Sequence, residues 1–75
     1  MSGTPLSATL KEIVRLGGGI TVNANDILSA SAKEIVRGAS VKSVVTFKHA
    51  NAYLSSTLKE IARSARCNVI FDFEP

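Results

Sequence analysis

The feature that most constrains this chain is that it repeats itself. Leu6-Ser7-Ala8-Thr9-Leu10-Lys11-Glu12-Ile13-Val14-Arg15 returns as Leu28-Ser29-Ala30-Ser31-Ala32-Lys33-Glu34-Ile35-Val36-Arg37, and again as Leu54-Ser55-Ser56-Thr57-Leu58-Lys59-Glu60-Ile61-Ala62-Arg63. The Lys-Glu-Ile-x-Arg core is unbroken in all three copies. Agreement at so many positions is the signature of a repeat architecture, in which one supersecondary unit is copied and stacked. From Leu6 to Leu28 is 22 residues and from Leu28 to Leu54 is 26, so the copies differ in loop length rather than in plan. The units fall at about 5–26, 27–52 and 53–75, within a single domain covering 1–75.

Each copy has helical periodicity. Leu10, Ile13, Val14 and Gly17 lie at i, i+3, i+4 and i+7, as do Ala32, Ile35, Val36 and Ala39, and Leu58, Ile61, Ala62 and Ala65. That spacing puts an apolar stripe on one side of each helix. Two signals mark each start. A Ser follows the first Leu of each copy (Ser7, Ser29, Ser55), and Thr9/Glu12, Ser31/Glu34 and Thr57/Glu60 match the Ser/Thr-x-x-Glu capping box, so the pattern leaves two candidate caps per helix. Gly17-Gly18-Gly19 and Gly38 sit where the first two helices should stop, since glycine tolerates the left-handed backbone of a C-terminal cap.

A short, alternating, β-favouring run follows each helix: Ile20-Thr21-Val22-Asn23, Val44-Val45-Thr46-Phe47-Lys48 and Val69-Ile70-Phe71-Asp72-Phe73. Strands joined by a crossover helix pair in parallel, and the crossovers are right-handed. The fold class expected is therefore α/β: three αβ repeats forming a three-stranded parallel sheet with three helices on one face, a short solenoid-like arrangement. With Ile20, Val22, Val45, Phe47, Val69, Phe71 and Phe73 turned to the helices, the intervening side chains must point away. That outer face carries a row of Thr21, Thr46 and Ile70 and a row of Asn23, Lys48 and Asp72, with Val44 and Asn68 beside them.

The segments after the strands echo each other in Asn23-Ala24-Asn25-Asp26-Ile27-Leu28 and His49-Ala50-Asn51-Ala52-Tyr53-Leu54. Ile20-x-Val22-x-x-Asn25-x-Ile27 resembles the leucine-rich-repeat pattern, in which an Asn after the strand satisfies backbone groups at the turn. Val45-x-Phe47 followed by Asn51-x-Tyr53 departs from that pattern by one inserted residue, and the third copy reaches Pro75 before an Asn. The resemblance covers two turns. It implies a curved solenoid that binds another macromolecule on its strand face.

Composition narrows the classes. Seventy-five residues at 45% hydrophobic content suit one small core, and a chain of this size buries only about 60% of its unfolded surface. Cys67 is the sole cysteine, so no disulfide closes within the chain. One thiol, and an opening Met1-Ser2-Gly3-Thr4-Pro5 that lacks a basic region followed by an apolar run, lead to the expectation of a soluble, cytoplasmic chain. No apolar stretch reaches the ~20 residues of a membrane span.

Two surfaces are candidates for function. The first is the outer sheet face, with Thr21, Asn23, Thr46, Lys48, Ile70 and Asp72 as protein-binding residues; open faces of this kind serve as binding surfaces in repeat proteins. A solvated sheet face with Lys48 and Asp72 as a cross-strand pair is the plainer alternative. The second is the helix layer, where Lys11, Arg15, Lys33, Arg37, Lys59 and Arg63 recur at i and i+4 and form the basis of a nucleic-acid alternative. Glu12, Glu34 and Glu60 lie beside those cations and partly neutralise their field, Lys42 and Arg66 add little to it, and no aromatics interleave for base stacking.

Catalytic constellations are sparse. His49 and Cys67, the only residues of their types, fall near opposite ends of parallel strands, and two soft ligands cannot close a structural zinc site. The three consecutive glycines follow a helix and precede a strand, the reverse of a phosphate-binding loop. The expectation is a non-catalytic protein-interaction or self-association module with no cofactor, metal, membrane or small-molecule substrate. Its partner would be another protein, or a homo-oligomer formed through a sheet edge or the outer face. Both sheet edges stand open; Asp72, Glu74 and Pro75 are candidate edge-blocking residues, while a second copy or neighbouring repeats would cover the edge instead.

Overall fold

The structure is a computed structural model that describes residues 4–74. Pro75 lies outside the described residues, as do the side chains of residues 4–7, among them Leu6 and Ser7, with which the first copy of the repeat opens. Three helices, α1 (Thr4–Arg15), α2 (Ser29–Arg37) and α3 (Ser55–Ser64), alternate with three strands, β1 (Ile20–Asn23), β2 (Val44–Lys48) and β3 (Asn68–Phe71). The strands form one parallel sheet in the order β1-β2-β3. Architecture and strand order are those the repeat dictates, and β1 and β2 have the bounds the alternating runs predict.

The core lies where the middle unit meets its neighbours. Val14, Val22, Ala32, Ile35, Val36, Ala39, Val45, Phe47 and Ile61 form one buried cluster, with Phe47 fully enclosed between β1, β3 and the helices. The Phe47 ring meets Tyr53 edge-on at 6.3 Å and Phe71 at 5.8 Å. Ala32, Ile35, Val36 and Ala39, the whole stripe of the second unit, are buried. In the outer helices the stripe is only partly covered: Ile13 is exposed on α1 and Ala62 on α3.

Four local expectations change. The capping boxes do not form. α2 and α3 start from Leu28 and Leu54, whose side chains make no cap bond, so Ser31 and Thr57 lie inside the helices, as Thr9 lies inside α1. The first i to i−4 bonds run to the Leu carbonyls, from Ala32 N to Leu28 O and from Leu58 N to Leu54 O. The glutamates are drawn elsewhere, as described below. At the helix ends, Gly17 is left-handed (φ +99°) and closes α1 with bonds from Gly17 N to Val14 O and from Gly18 N to Ile13 O. A Cβ on Gly18 would stand 2.7 Å from the Ile13 side chain. Gly38, by contrast, ends α2 in a right-handed conformation (φ −91°, ψ 0°).

The third strand begins and ends earlier than its alternating run suggests. Asp72 still joins the ladder, donating its N–H to Phe47 O and accepting from Ala50 N, but Phe73 lies beyond the strand and is 55% exposed rather than turned to the helices. Its ring leans on Phe71 at 6.4 Å. Finally, the turn expected of Asn25 is made by Asn23, whose carboxamide accepts from Asn25 N at 2.8 Å. The residue inserted in the second copy is absorbed at His49, the one non-glycine residue at positive φ among those described. Its left-handed turn lets Ala50 occupy the buried place that Ala24 fills in the first copy.

Replacing Ile35 with Asp should unfold the domain. An uncompensated buried charge costs several kcal/mol, comparable with a total stability of roughly 4–11 kcal/mol at about 0.05–0.15 kcal/mol per residue. Lys48→Glu, on an exposed position, should leave the melting curve within a few degrees. Thermal denaturation followed by circular dichroism separates the two, and a large loss for Lys48→Glu would mean that β2 is turned the other way round.

Candidate functional site

The register assembles the outer face in rows. Thr21 pairs with Thr46 and Thr46 with Ile70; Asn23 pairs with Lys48, and Asp72 continues that row on the third strand; Val44 pairs with Asn68 at the other end. Thr21, Val44, Lys48, Asn68 and Ile70 are exposed, while Asn23, Thr46 and Asp72 are half-buried. All six predicted binding residues therefore share one surface. Two of them are engaged in local turns: the Asn23 carboxamide as above, and the Asp72 carboxylate, which accepts Glu74 N at 3.0 Å. The Lys48–Asp72 pair does not form. Among the described residues the ion pairs are Lys11–Glu34, Lys33–Glu60 and Arg15–Glu12.

Those pairs reshape the second candidate surface. Lys11 Nζ on α1 reaches Glu34 Oε1 on α2 at 2.7 Å, and Lys33 Nζ on α2 reaches Glu60 Oε1 on α3 at the same distance. The same two repeat positions meet each time, and always across to the next helix. The lysine beside each carboxylate holds it below the ordinary value of 4.5, first by donating a hydrogen bond and then by its charge, with Arg37 and Arg63 contributing more weakly. Arg15 is bound to Glu12 on its own helix. Of the six cations in the predicted array, three thus face carboxylates directly. An open groove of about 370 Å³ runs between α1 and α2, lined by Ala8, Lys11, Glu12, Arg15, Glu34, Ile35 and Gly38, and its charged rim is made of the Lys11–Glu34 and Arg15–Glu12 pairs.

Sequence reasoning missed three features. Ser43 is fully buried and donates its hydroxyl to Val14 O at 2.6 Å, where Ser40 N also bonds; a Ser in a short loop gives no periodic signal. Tyr53 donates to Ile27 O at 2.6 Å, linking the same position of two successive units, and partial burial pushes its phenol up. Leu28 and Leu54, the repeated first residues, are 77% and 74% exposed; they lie outside the helical stripe, which was the available clue.

The catalytic candidates stay apart. Asn68 aligns with Val44, so Cys67 stands beside Ser43 at one end of the strands. His49 leaves the other end of β2 six residues further along, roughly 20 Å away at ~3.3 Å per residue. Burial pushes the Cys67 thiol up, away from the reactive thiolate. Among the described residues no three His, Cys, Asp or Glu side chains cluster as metal ligands, and no helix is long and apolar enough to cross a membrane. No protein-family model, curated protein or solved structure matches the chain.

The Lys11–Glu34 pair has a pH signature. A carboxyl held below its unfolded value stabilises the fold above about pH 4.5, and that contribution is lost as pH falls through the lower folded value. Lys11→Met should move the Glu34 titration, read by carboxyl-carbon NMR, back toward 4.5 and leave that of Glu60, held by Lys33, in place. No movement at Glu34 would mean that the pair does not form in solution.

Proposed function

We propose that the chain is a non-catalytic protein-interaction module that meets its partner through the open face and edges of its sheet. The observation that carries this reading is the Thr21–Thr46–Ile70 row, which crosses all three strands in register with exposed Val44 and Asn68 alongside. Uncharged, part-apolar strips with charges confined to the border are what protein interfaces favour at their centres, and here Lys48 and Asp72 occupy the border. The resemblance to leucine-rich repeats favours the same face, and a cytoplasmic setting for a chain with a single half-buried thiol belongs to the same proposal.

The helix layer is the weaker candidate because Lys11, Lys33 and Arg15 already hold carboxylates. A phosphate would have to displace them.

The test is binding of a partner captured with the tagged chain and then purified. Ile70→Lys should weaken that complex at least tenfold while leaving the fold intact, and affinity should change little between about 50 and 200 mM salt. A loss of about a thousandfold over that salt range, with indifference to Ile70→Lys and sensitivity to Arg37→Ala or Arg63→Ala, would replace this reading with a nucleic-acid one.

A further inference from the structure

The two ends of the repeat stack are complementary to each other. In the inner unit Ile35 and Val36 are both buried. Their counterparts on the outer helices divide: on α1, Val14 is buried and Ile13 is 37% exposed, whereas on α3, Ile61 is buried and Ala62 is exposed. The isoleucine side of each helix therefore faces the preceding unit and the Val/Ala side faces the following one. Among the described residues, nothing covers Ile13 on the preceding side of the stack or Ala62 on the following side.

The charges divide in the same way. Lys11 and Lys33 each reach forward to the glutamate of the next helix. Among the described residues, Lys59, third in that series, has no ion-pair partner, and Glu12, first in the series of acceptors, receives no lysine from a preceding helix. Glu12 is held instead by Arg15. At Glu34 and Glu60 the equivalent Arg37 and Arg63 act on the carboxylate only as weaker, more distant charges, because a lysine from the preceding helix has taken it. Glu12 thus shows what the acceptor does when its lysine is missing.

The sheet edges agree. Ser43 O and Phe47 O on the β2 side accept from Asn68 N and Asp72 N, so the alternation of the strand leaves the backbones of Val69 and Phe71 facing the open edge. β1 offers four residues, Ile20–Asn23, along the opposite edge. Half-buried Val69 and Phe71 at one end and half-buried Ile20 and Leu10 at the other are apolar side chains awaiting a neighbour.

We infer that a second copy of this chain stacks end to end on the first, its β1 pairing in parallel with β3, Ile13 of the second copy against Ala62, and Glu12 of the second copy on Lys59. The inference rests on the reading of the chain as an interaction module and assigns an occupant to its edges. The contact is head-to-tail, so each added copy presents the same free end again, and assembly continues beyond a dimer unless the rotation closes a ring.

Sedimentation over a concentration series tests this through a charge exchange. The wild-type chain should form species larger than a dimer as concentration rises. Lys59→Glu alone sets a carboxylate against Glu12 of the next copy, and Glu12→Lys alone sets an ammonium against Lys59 of the copy before it. Each should weaken association about tenfold, through a lost attraction and an added repulsion. Mixed in equal amounts, the two variants pair opposite charges at every alternating contact and should recover wild-type assembly, a rescue that misfolded variants could not give. Ala62→Arg, on an exposed helix position, should keep the helical spectrum and abolish assembly. A wild-type chain that stays monomeric at the highest concentrations, a closed dimer, or association indifferent to the exchange would overturn the inference. A closed dimer lost on Ile70→Lys would do so while leaving the sheet face standing as the interaction surface, and a monomer whose protein partner is lost on Ile70→Lys would do the same.

Discussion

Each helix of this chain carries apolar side chains on both flanks of its stripe, and only a unit with a neighbour on each side can cover both flanks. The hydrophobic gain scales with area removed from water, and a lone αβ unit has one strand and one helix with which to remove it. Stacking is therefore the condition for having a core at all. Its consequences are visible residue by residue: the middle unit, with neighbours on both sides, buries its stripe of Ala32, Ile35, Val36 and Ala39, and β2 buries Val45 and Phe47 completely, whereas α1 leaves Ile13 and α3 leaves Ala62 in solvent.

Polar bonds then fix how one unit sits on the next. The carbonyl of Val14 accepts Ser40 N, and the carbonyl of Val36, its repeat equivalent, accepts Arg66 N. Lys11 reaches Glu34 and Lys33 reaches Glu60. Tyr53 reaches back to Ile27. Exposed ion pairs add little to stability because water solvates both partners and salt screens them; their value here is in register, since a slip of one residue would misplace every pair at once. The open surfaces that remain, one sheet face and two ends, follow directly from stacking three units with all helices on one side.

Much of this was legible in the sequence. The repeat fixes the number of units, parallel pairing follows from the crossovers, and the alternation of Thr21, Thr46 and Ile70 with Val22, Val45 and Phe71 assigns inside and outside correctly. The misreadings share a cause, which is that local signals were read without the neighbouring unit. Ser31/Glu34 and Thr57/Glu60 match a capping box in isolation, but a lysine on the preceding helix claims each glutamate. Ile13 and Ala62 belong to the apolar stripe by spacing, yet no unit among the described residues covers them. Phe73 continues the alternation of β3 after β2 has already turned away at the left-handed His49. The forward Lys-to-Glu pairing was itself recoverable, because equivalent helices stacked in the same way bring the same two positions together each time, even though the loops between them differ in length.

If unit-to-unit contact is what holds the fold, stability must be greatest in the middle. Native-state hydrogen exchange measures this directly. The account predicts that amides of α2 and β2 exchange most slowly, near the rate set by global unfolding, while those of α1 and the β1 edge open sooner. Equal protection in all three units, or the slowest exchange in a terminal one, would show that the units are stable individually and contradict the dependence of each on its neighbours.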